Sequence, residues 1–383
     1  MESLRSTQGE EREAPRILLE LLGDAGISIN GDAPWDFIVH DSDVWQEILT
    51  HGSVGLGEAY MDGLWDSPRL DEFFTRLLRI DADERVKGWS RLRLIGEALR
   101  HRFINRQSVS RAFQVGEQHY DLGNDVFAAM LDPTMAYSCG YWAAADNLND
   151  AQLAKYDLIC RKLQLKPGER VLEIGCGWGG LAHYAAKHYG VHMLGITVSK
   201  EQQALALERC AGLPVEIELI DYRSLEGSFD KVVSVGMFEH VGPKNYATYF
   251  STAHRLLKDD GLFLLHSIGN YAASNGTDAW IDKYIFPNGH LPSMREISAS
   301  VENLFLVEDW HNFGTDYDRT LMAWWHNFNH AWPQLEAKYG QRFHRMWKYY
   351  LMCCAGFFRS RQGQLWQIVL SKRERTSVYR SVR

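Results

Sequence analysis

The chain lacks any run of about 18 apolar residues, so nothing in it reads as a membrane span. Its polar opening, MESLRSTQGEERE, has no apolar centre of the kind a signal peptide needs and reads as a frayed start. Positive charge is not in excess. With 41 Lys and Arg against 49 Asp and Glu the formal charge is −8, which excludes a general nucleic-acid binder and leaves no nucleic-acid partner expected. Cysteine is scarce, with 6 in 383 residues. No two of them form a CxxC pair, and the adjacent Cys353 and Cys354 are poorly spaced as metal ligands. A reduced, cytoplasmic protein without a structural zinc or other metal is expected. No H-E-x-x-H, no internal repeat and no low-complexity tract occurs.

What is present is a chain that is 45% apolar, enough for about two domains. From residue 169 onward, short apolar runs recur at 169–174, 191–196, 215–220, 230–236 and 261–267, each gap leaving room for one helix. That spacing predicts βαβ units and a parallel sheet, which the runs at 303–308 and 364–370 would complete. The aromatic-rich stretch 319–358 is expected to form helices over the active rim of the sheet. Residues 14–80 read as a small separate domain, with a helical pattern in RILLELLGDAG, close glycines in GSVGLGEAYMDGLW and another helix in LDEFFTRLLRI.

Between these halves, residues 85–111 hold eight Lys or Arg and one acid, Glu97, a local charge of +7 that leaves −15 for the rest of the chain. Trp89, Leu92, Ile95, Leu99 and Phe103 recur at spacings of three and four and make one apolar helical stripe beside the arginines. Two readings stand: a packed helix with a solvated basic face, or a helix that meets an anionic membrane surface.

The sharpest local signal is VLEIGCGWGG at 171–180, an apolar run ending in Glu173 and three alternate glycines, Gly175, Gly177 and Gly179. A glycine-rich turn after a strand lets a ligand approach the backbone. No P-loop Lys-Ser/Thr follows, which argues against a nucleoside triphosphate. A nicotinamide site calls for an acid at the end of the second strand, yet GITVSKEQQ offers Thr197 and Gln202 there. The E-x-G-x-G-x-G form resembles the S-adenosylmethionine loop of class I methyltransferases. Glu239, just past the fourth strand, and His266, at the end of the fifth, should project from the carboxyl rim beside that loop, whatever the family. Zinc is the weaker reading there, since Glu239 and His240 are sequence neighbours and point apart.

Six motifs in order, HYDLGNDVF, YSCGYW, VLEIGCGWGG, GITVSKEQ, VGMFEHVG and CCAGFF, closely resemble the cyclopropane-fatty-acyl-phospholipid synthases. The resemblance runs from about residue 15 to the end and includes a small N-terminal domain that the shorter mycolic-acid enzymes lack. It implies an α/β fold: a class I methyltransferase, Rossmann-like seven-stranded sheet with a small N-terminal domain at 1–84, a basic amphipathic linker helix at 85–112 and a catalytic domain at 113–383. It implies methylene transfer from S-adenosylmethionine to the cis double bond of a phospholipid acyl chain, through a carbocation that loses a proton as the ring closes. By the same resemblance Tyr137 and Ser138 close over the cofactor, Thr197 and Gln202 hold its methionine and ribose side, and Asp221 and Tyr222 meet its adenine. Bicarbonate, as the base, would lie against Cys139, Glu239, His266, Ile268 and Tyr317. The rival is direct proton removal by Glu239.

Cys354 matches a cysteine assigned as an active residue in the family, but the chemistry needs no thiol nucleophile, and pocket lining is the reading of its residue type. The partners implied are membrane phospholipid with unsaturated acyl chains and a second copy in a homodimer. The place implied is the cytoplasm, peripheral to the inner face of the membrane. Two other functions remain open at this point. One is a class I methyltransferase acting on a lipid-like heteroatom; the other is a non-enzymatic lipid-binding protein with a vestigial loop.

Overall fold

The computed structural model describes residues 13–80, 123–273 and 276–383. The basic stripe at 85–111 and the expected linker at 85–112 lie outside the described residues. The first described part carries α1 (Arg16–Asp24), β1 (Ile38–Val39), α2 (Val44–His51), α3 (Ser53–Met61), β2 (Trp65–Asp66) and α4 (Leu70–Arg79). β1 and β2 pair antiparallel. Phe37 stacks on Trp65 at 4.4 Å between ring centroids, and Trp45 and Phe73 close around them.

The main sheet holds β3 (Arg170–Ile174), β4 (His192–Thr197), β5 (Val215–Leu219), β6 (Phe229–Val235), β7 (Leu257–Asn270), β8 (Leu306–Asn312) and β9 (Gly363–Ser371). Their order is β5-β4-β3-β6-β7-β9-β8, with β3 to β7 parallel and β9 antiparallel to both its neighbours. Six of the seven runs read from the sequence are strands here; the seventh, 303–308, meets its strand only from Leu306, and β8 continues to Asn312. The inner ones were legible because a parallel strand covered on both faces is apolar throughout; Leu262, Phe263, Leu264 and Leu265 are all fully buried. Strand β7 exceeds the expected run at both ends, beginning at Leu257 and running on through Ile268 to Asn270 against β9.

The helices that flank or follow the strands are α5 (Asn124–Met130), α6 (Leu148–Lys162), α7 (Gly180–Tyr189), α8 (Lys200–Arg209), α9 (Tyr246–Leu256), α10 (Ala279–Tyr284), α11 (Met294–Val301) and α12 (Thr315–Arg359). The aromatic stretch forms α12, which breaks at Gly340, where φ is 74° and ψ 162°. Its second half crosses α4 so closely that a Cβ on Gly356 would lie 2.6 Å from Phe74 Cβ. Arg359 spans the contact, binding Asp71 at 2.6 Å, Glu72 at 2.8 Å and Asp318 at 2.8 Å. One apolar core therefore runs from Phe37 and Trp65 through Tyr349 to Trp324 and Cys139.

Strand order reverses at β3, which has β4 on one side and β6 on the other. The crevice outside the carboxyl ends of such strands is where ligands bind in open α/β sheets. The glycine turn leaves β3 there, and Glu239 follows β6.

Candidate active site

Gly175, Gly177 and Gly179 all have positive φ, at 82°, 52° and 78°, which side chains rarely adopt. Their neighbours differ. A Cβ on Gly175 would lie 2.7 Å from Met237 Cγ, and one on Gly179 would lie 3.0 Å from Ala206 Cβ. Those two let chain pack against chain. A Cβ on Gly177 would meet nothing within 4 Å, so the turn opens to a ligand at this residue. Gly179 then caps α7 in a left-handed conformation.

Around this opening, Thr197 at the end of β4 donates from Oγ1 to Gln202 Oε1 at 2.8 Å, and both are buried. The Asp221 carboxylate is gripped by Arg223, whose Nε and Nη2 reach its two oxygens at 2.7 and 2.6 Å. Tyr222 is buried edge-on to Tyr249 rather than standing on the surface. The Tyr137 and Tyr350 hydroxyls are 2.7 Å apart. The Tyr137 ring sits between Phe127 and Trp324, with centroids at 5.1 and 5.3 Å.

Glu239 lies in a short 3₁₀ turn, Phe238–His240, and is buried. Its Oε1 accepts the Ile268 N–H at 2.6 Å, while its Oε2 has no hydrogen-bond partner among the described residues. Burial pushes its carboxyl up to about 7, against the pull of the Ile268 N–H. His266 faces Gln367 because the antiparallel register of β7 and β9 sets these two opposite each other. Gln367 Nε2 lies 3.3 Å from His266 Nδ1. With the amide so assigned, Nδ1 accepts and the proton sits on Nε2, which is buried and unpartnered. Burial, helped by the charges of Lys155 and Lys162, holds the imidazole well below its ordinary range, so it is neutral. Among the described residues, one unpaired acceptor therefore sits just past β6 and one unpaired donor inside β7: the strand runs on to Asn270, so His266 does not end it as the sequence suggested but lies beside Val235, the last residue of β6. Buried polar groups without partners are uncommon.

Tyr317 opens α12, stacked on Phe358 at 4.5 Å, and burial lifts its hydroxyl well above the usual range, with Cys139, Glu239, Tyr137 and Cys354 adding to the effect. The structure thus brings Tyr137, Cys139, Glu239 and Cys354 within electrostatic reach of Tyr317. Burial also keeps both thiols protonated, Cys139 far above its usual value and Cys354 at about 12. Neither is a ready nucleophile. Ile268 contributes its amide to Glu239. All six cysteines are free, and among the described residues no cluster of His, Cys, Asp or Glu is placed to hold a metal ion.

Four neighbouring residues escaped the sequence reading: Lys155, Gln152, Thr320 and Gln367, all buried. Thr320 Oγ1 accepts the Gly140 N–H at 3.1 Å and the Trp142 indole N–H at 2.8 Å. The signal for Gln152 and Lys155 was available: both fall on the apolar stripe of α6 with Leu148, Ala151 and Ile159, where a polar residue needs a reason.

The mycolic acid cyclopropane synthetase family pattern matches residues 107–368. Over 359 residues the chain is 56% identical to cyclopropane-fatty-acyl-phospholipid synthase of Escherichia coli K12, with 93% of each chain covered. Mycolic acid cyclopropane synthase CmaA1, solved complexed with SAH and CTAB, is 32% identical with a TM-score of 0.64, covering 68% of this chain and 98% of that one. Coclaurine N-methyltransferase bound to N-methylheliamine and SAH has a TM-score of 0.67 at 21% identity, over 83% of this chain and 99% of that one. That last likeness is one of fold, the class I S-adenosylmethionine methyltransferase fold.

Proposed function

The chain belongs to the mycolic acid cyclopropane synthetase family, and from that premise we propose that it transfers a methylene group from S-adenosylmethionine to the cis double bond of unsaturated phospholipid acyl chains. It is an S-adenosylmethionine-dependent methyltransferase. The observation that carries the phospholipid reading is the 56% identity over 93% of both chains with an enzyme named for that product.

The site suits the chemistry. When bound, S-adenosylmethionine supplies a sulfonium methyl group, and Gly177 leaves the backbone open to it. An alkene is a weak nucleophile with no proton to remove beforehand, so the protein's first task is positioning. The Tyr137, Trp324, Tyr317 and Phe286 rings give an apolar, aromatic surround that excludes water. Aromatic faces favour a developing cation by roughly 0.5–2 kcal/mol each. After methyl transfer, one proton leaves the methyl carbon, its C–H electron pair closes the ring, and S-adenosylhomocysteine and a proton are the other products.

The base we propose is bicarbonate, which when bound supplies a proton acceptor. The unpartnered atoms fit it: Glu239 Oε2 can accept its O–H, and His266 Nε2–H can donate to one of its oxygens. The neutral Tyr317 hydroxyl can donate as well, Ile268 fixes the Glu239 carboxylate, and Cys139 closes the wall. Tyr137, Ser138, Thr197, Gln202, Asp221 and Tyr222 are the proposed cofactor contacts. Residues 1–84, 85–112 and 113–383 form the proposed docking domain, basic linker and catalytic domain, in a homodimer peripheral to the inner membrane face. Among the described residues no helix is long and apolar enough to cross a membrane.

The test is incubation with labelled S-adenosylmethionine and monounsaturated phospholipid vesicles. Acyl chains heavier by one CH₂ and no longer reducible by hydrogen are expected. Label in the head group, or on the acyl chain with the double bond intact, would defeat the reading.

A further inference from the structure

Residues 136–141 cross the proposed site, and α6 holds them from behind. Gln152 donates from Nε2 to Ser138 O at 2.8 Å and to Ala136 O at 3.4 Å. The Tyr141 N–H donates to Ala151 O at 2.9 Å, and a Cβ on Gly140 would lie 2.9 Å from Ala151 Cβ. Lys155 completes the set, donating from Nζ to Ser138 Oγ at 2.7 Å. A Cβ on Gly236 would lie 3.8 Å from Ser138 Cβ, which seats Ser138 at the end of β6, beside the turn that carries Glu239.

Lys155 is the unusual member. It is fully buried, yet among the described residues no carboxylate comes within 4.0 Å of it. Lys162, two turns further along the same helix and equally buried, has Asp309 at 3.4 Å and His311 Nδ1 at 3.1 Å. Lys162 is thus explained as half of a buried ion pair. A buried ammonium without such a partner is costly, and an apolar side chain would fill the same space. Burial lowers the Lys155 pKa to about 8, with the more distant Asp132, Cys139 and Glu173 pulling it back up. Its Nζ lies 4.6 Å from the centroid of the Tyr156 ring, and among the described residues its one hydrogen bond is to the Ser138 hydroxyl. That hydroxyl accepts from Lys155, so its own hydrogen points elsewhere.

We propose that Lys155 is a positioning residue for methyl transfer: it fixes the Ser138 hydroxyl as a donor and holds the Tyr137–Cys139 strip where that strip closes over bound S-adenosylmethionine. The proposal rests on the reading of Tyr137 and Ser138 as cofactor contacts. It separates the two buried lysines of α6 into one that serves the fold and one that serves the site.

The experiment is calorimetric titration of S-adenosylmethionine into the parent protein, Lys155→Met, Ser138→Ala and the double variant, with kinetics on phospholipid vesicles alongside. Lys155→Met should weaken cofactor affinity roughly tenfold, as loss of a charge-assisted hydrogen bond does. It should raise the KM for S-adenosylmethionine and leave the KM for vesicles in place. Ser138→Ala should lose a similar factor, and the double variant should be no worse than Lys155→Met. A purely structural lysine would shift the melting temperature and leave cofactor affinity alone; that result overturns the proposal. Losses that multiply in the double variant overturn the route through Ser138. If Lys155→Met does not fold, parental affinity in Ser138→Ala overturns the proposal equally. A parent protein that fails to bind S-adenosylmethionine removes the cofactor reading itself, and the proposal with it.

Discussion

The carboxyl rim of the sheet and the α12 wall that covers it are built in opposite ways. The rim presents polar atoms without partners, Glu239 Oε2 and His266 Nε2, on residues fixed by β6, β7 and β9. The wall presents rings: Trp324 stands edge-on to Tyr317 and tilted against Tyr137, Tyr317 stacks on Phe358, and the Tyr350 hydroxyl meets that of Tyr137. Its one partnerless polar atom beside Tyr137 and Tyr317, among the described residues, is the neutral Trp324 indole N–H, a donor that cannot take a proton. Such a division suits the proposed reaction, in which a cation forms on hydrocarbon and a proton is taken at one point. Proton acceptors on both sides would compete for the cation, and rings on both sides would offer no base.

The largest effect should come from the rim. Glu239→Gln keeps the shape and removes the acceptor, so kcat should fall by roughly 10²–10⁴ while cofactor affinity changes little. Added bicarbonate should rescue it little. In the parent protein the carboxylate form is the useful one and its pKa is about 7. Activity should therefore rise with pH through that region, and the limb should vanish in the variant. Stability should move the other way. A carboxyl raised above its ordinary value by folding stabilises fully below that ordinary value, and the contribution is lost as pH rises through about 7. Glu239→Gln should accordingly gain on the order of 1–3 kcal/mol relative to the parent at pH 8, and little at pH 4. A variant with near-parental turnover would erase the distinction between rim and wall. Near-normal turnover of the parent in bicarbonate-depleted buffer would shift the proton to Glu239 itself.

Next in size is the glycine turn that feeds both regions. Gly177 faces open space at φ 52°, whereas Gly175 and Gly179 face Met237 and Ala206. Gly177→Val should weaken S-adenosylmethionine binding by about 10²-fold or more with the fold retained, since the branched side chain strains the turn and fills the crossing point. Gly179→Ala should chiefly lower the melting temperature. Unchanged calorimetric affinity in Gly177→Val would move the ligand away from the turn.

This contrast also marks how far the sequence could be read. The strands and the motif of three glycines were visible because apolar runs and left-handed turns leave local signatures. The different tasks of Gly175, Gly177 and Gly179 were not, since they depend on Met237 and Ala206 arriving from elsewhere. Glu239 could be placed past its strand from the topology of an open sheet, whereas His266 lies inside β7, which the pairing with β9 carries on to Asn270. Gln367, which sets the His266 tautomer, lies 101 positions away and comes opposite only through the antiparallel pairing of β9. Thr320 reaches Gly140 across 180 positions. Aromatic density at 319–358 announced helices over the rim, but the break at Gly340 and the way α12 shares its core with α4 emerge from packing.

A smaller effect should come from residues outside both regions. The stripe at 85–111 carries +7, and the proposed substrate, a phospholipid acyl chain, would lie in a membrane that neither rim nor wall can draw towards it. Basic side chains near an anionic surface contribute up to about 1 kcal/mol each, screened within a Debye length. Replacing Arg91, Arg93, Arg100 and Arg102 by Gln should weaken sedimentation with anionic vesicles roughly tenfold at low salt, and less at physiological salt. Cofactor affinity should hold, because the turn at 175–179 is untouched. If the variant pellets as well as the parent at both salt concentrations, the stripe is a packing helix and docking belongs to residues 1–84.

The smallest effect tests whether the wall is only a wall. Cys354 sits on α12 with its thiol held at about 12, so at neutral pH it is protonated and half-buried against the aromatic core. A thiol in that state neither attacks a sulfonium nor accepts the ring proton at a useful rate. On the proposed function its contribution is volume at the edge of the space the acyl chain would fill. Cys354→Ser changes little volume and adds a hydroxyl to an apolar lining, so kcat/KM should fall by no more than about fivefold, equivalent to roughly 1 kcal/mol. Alkylation of the parent protein should cost far more, because the adduct fills the space the chain needs, and Cys354→Ser should escape most of that inhibition. Acyl-chain turnover measured with and without a bulky maleimide, in parent and variant, separates the two. A loss of about 10³-fold in Cys354→Ser alone would put chemistry on the wall and end its contrast with the rim.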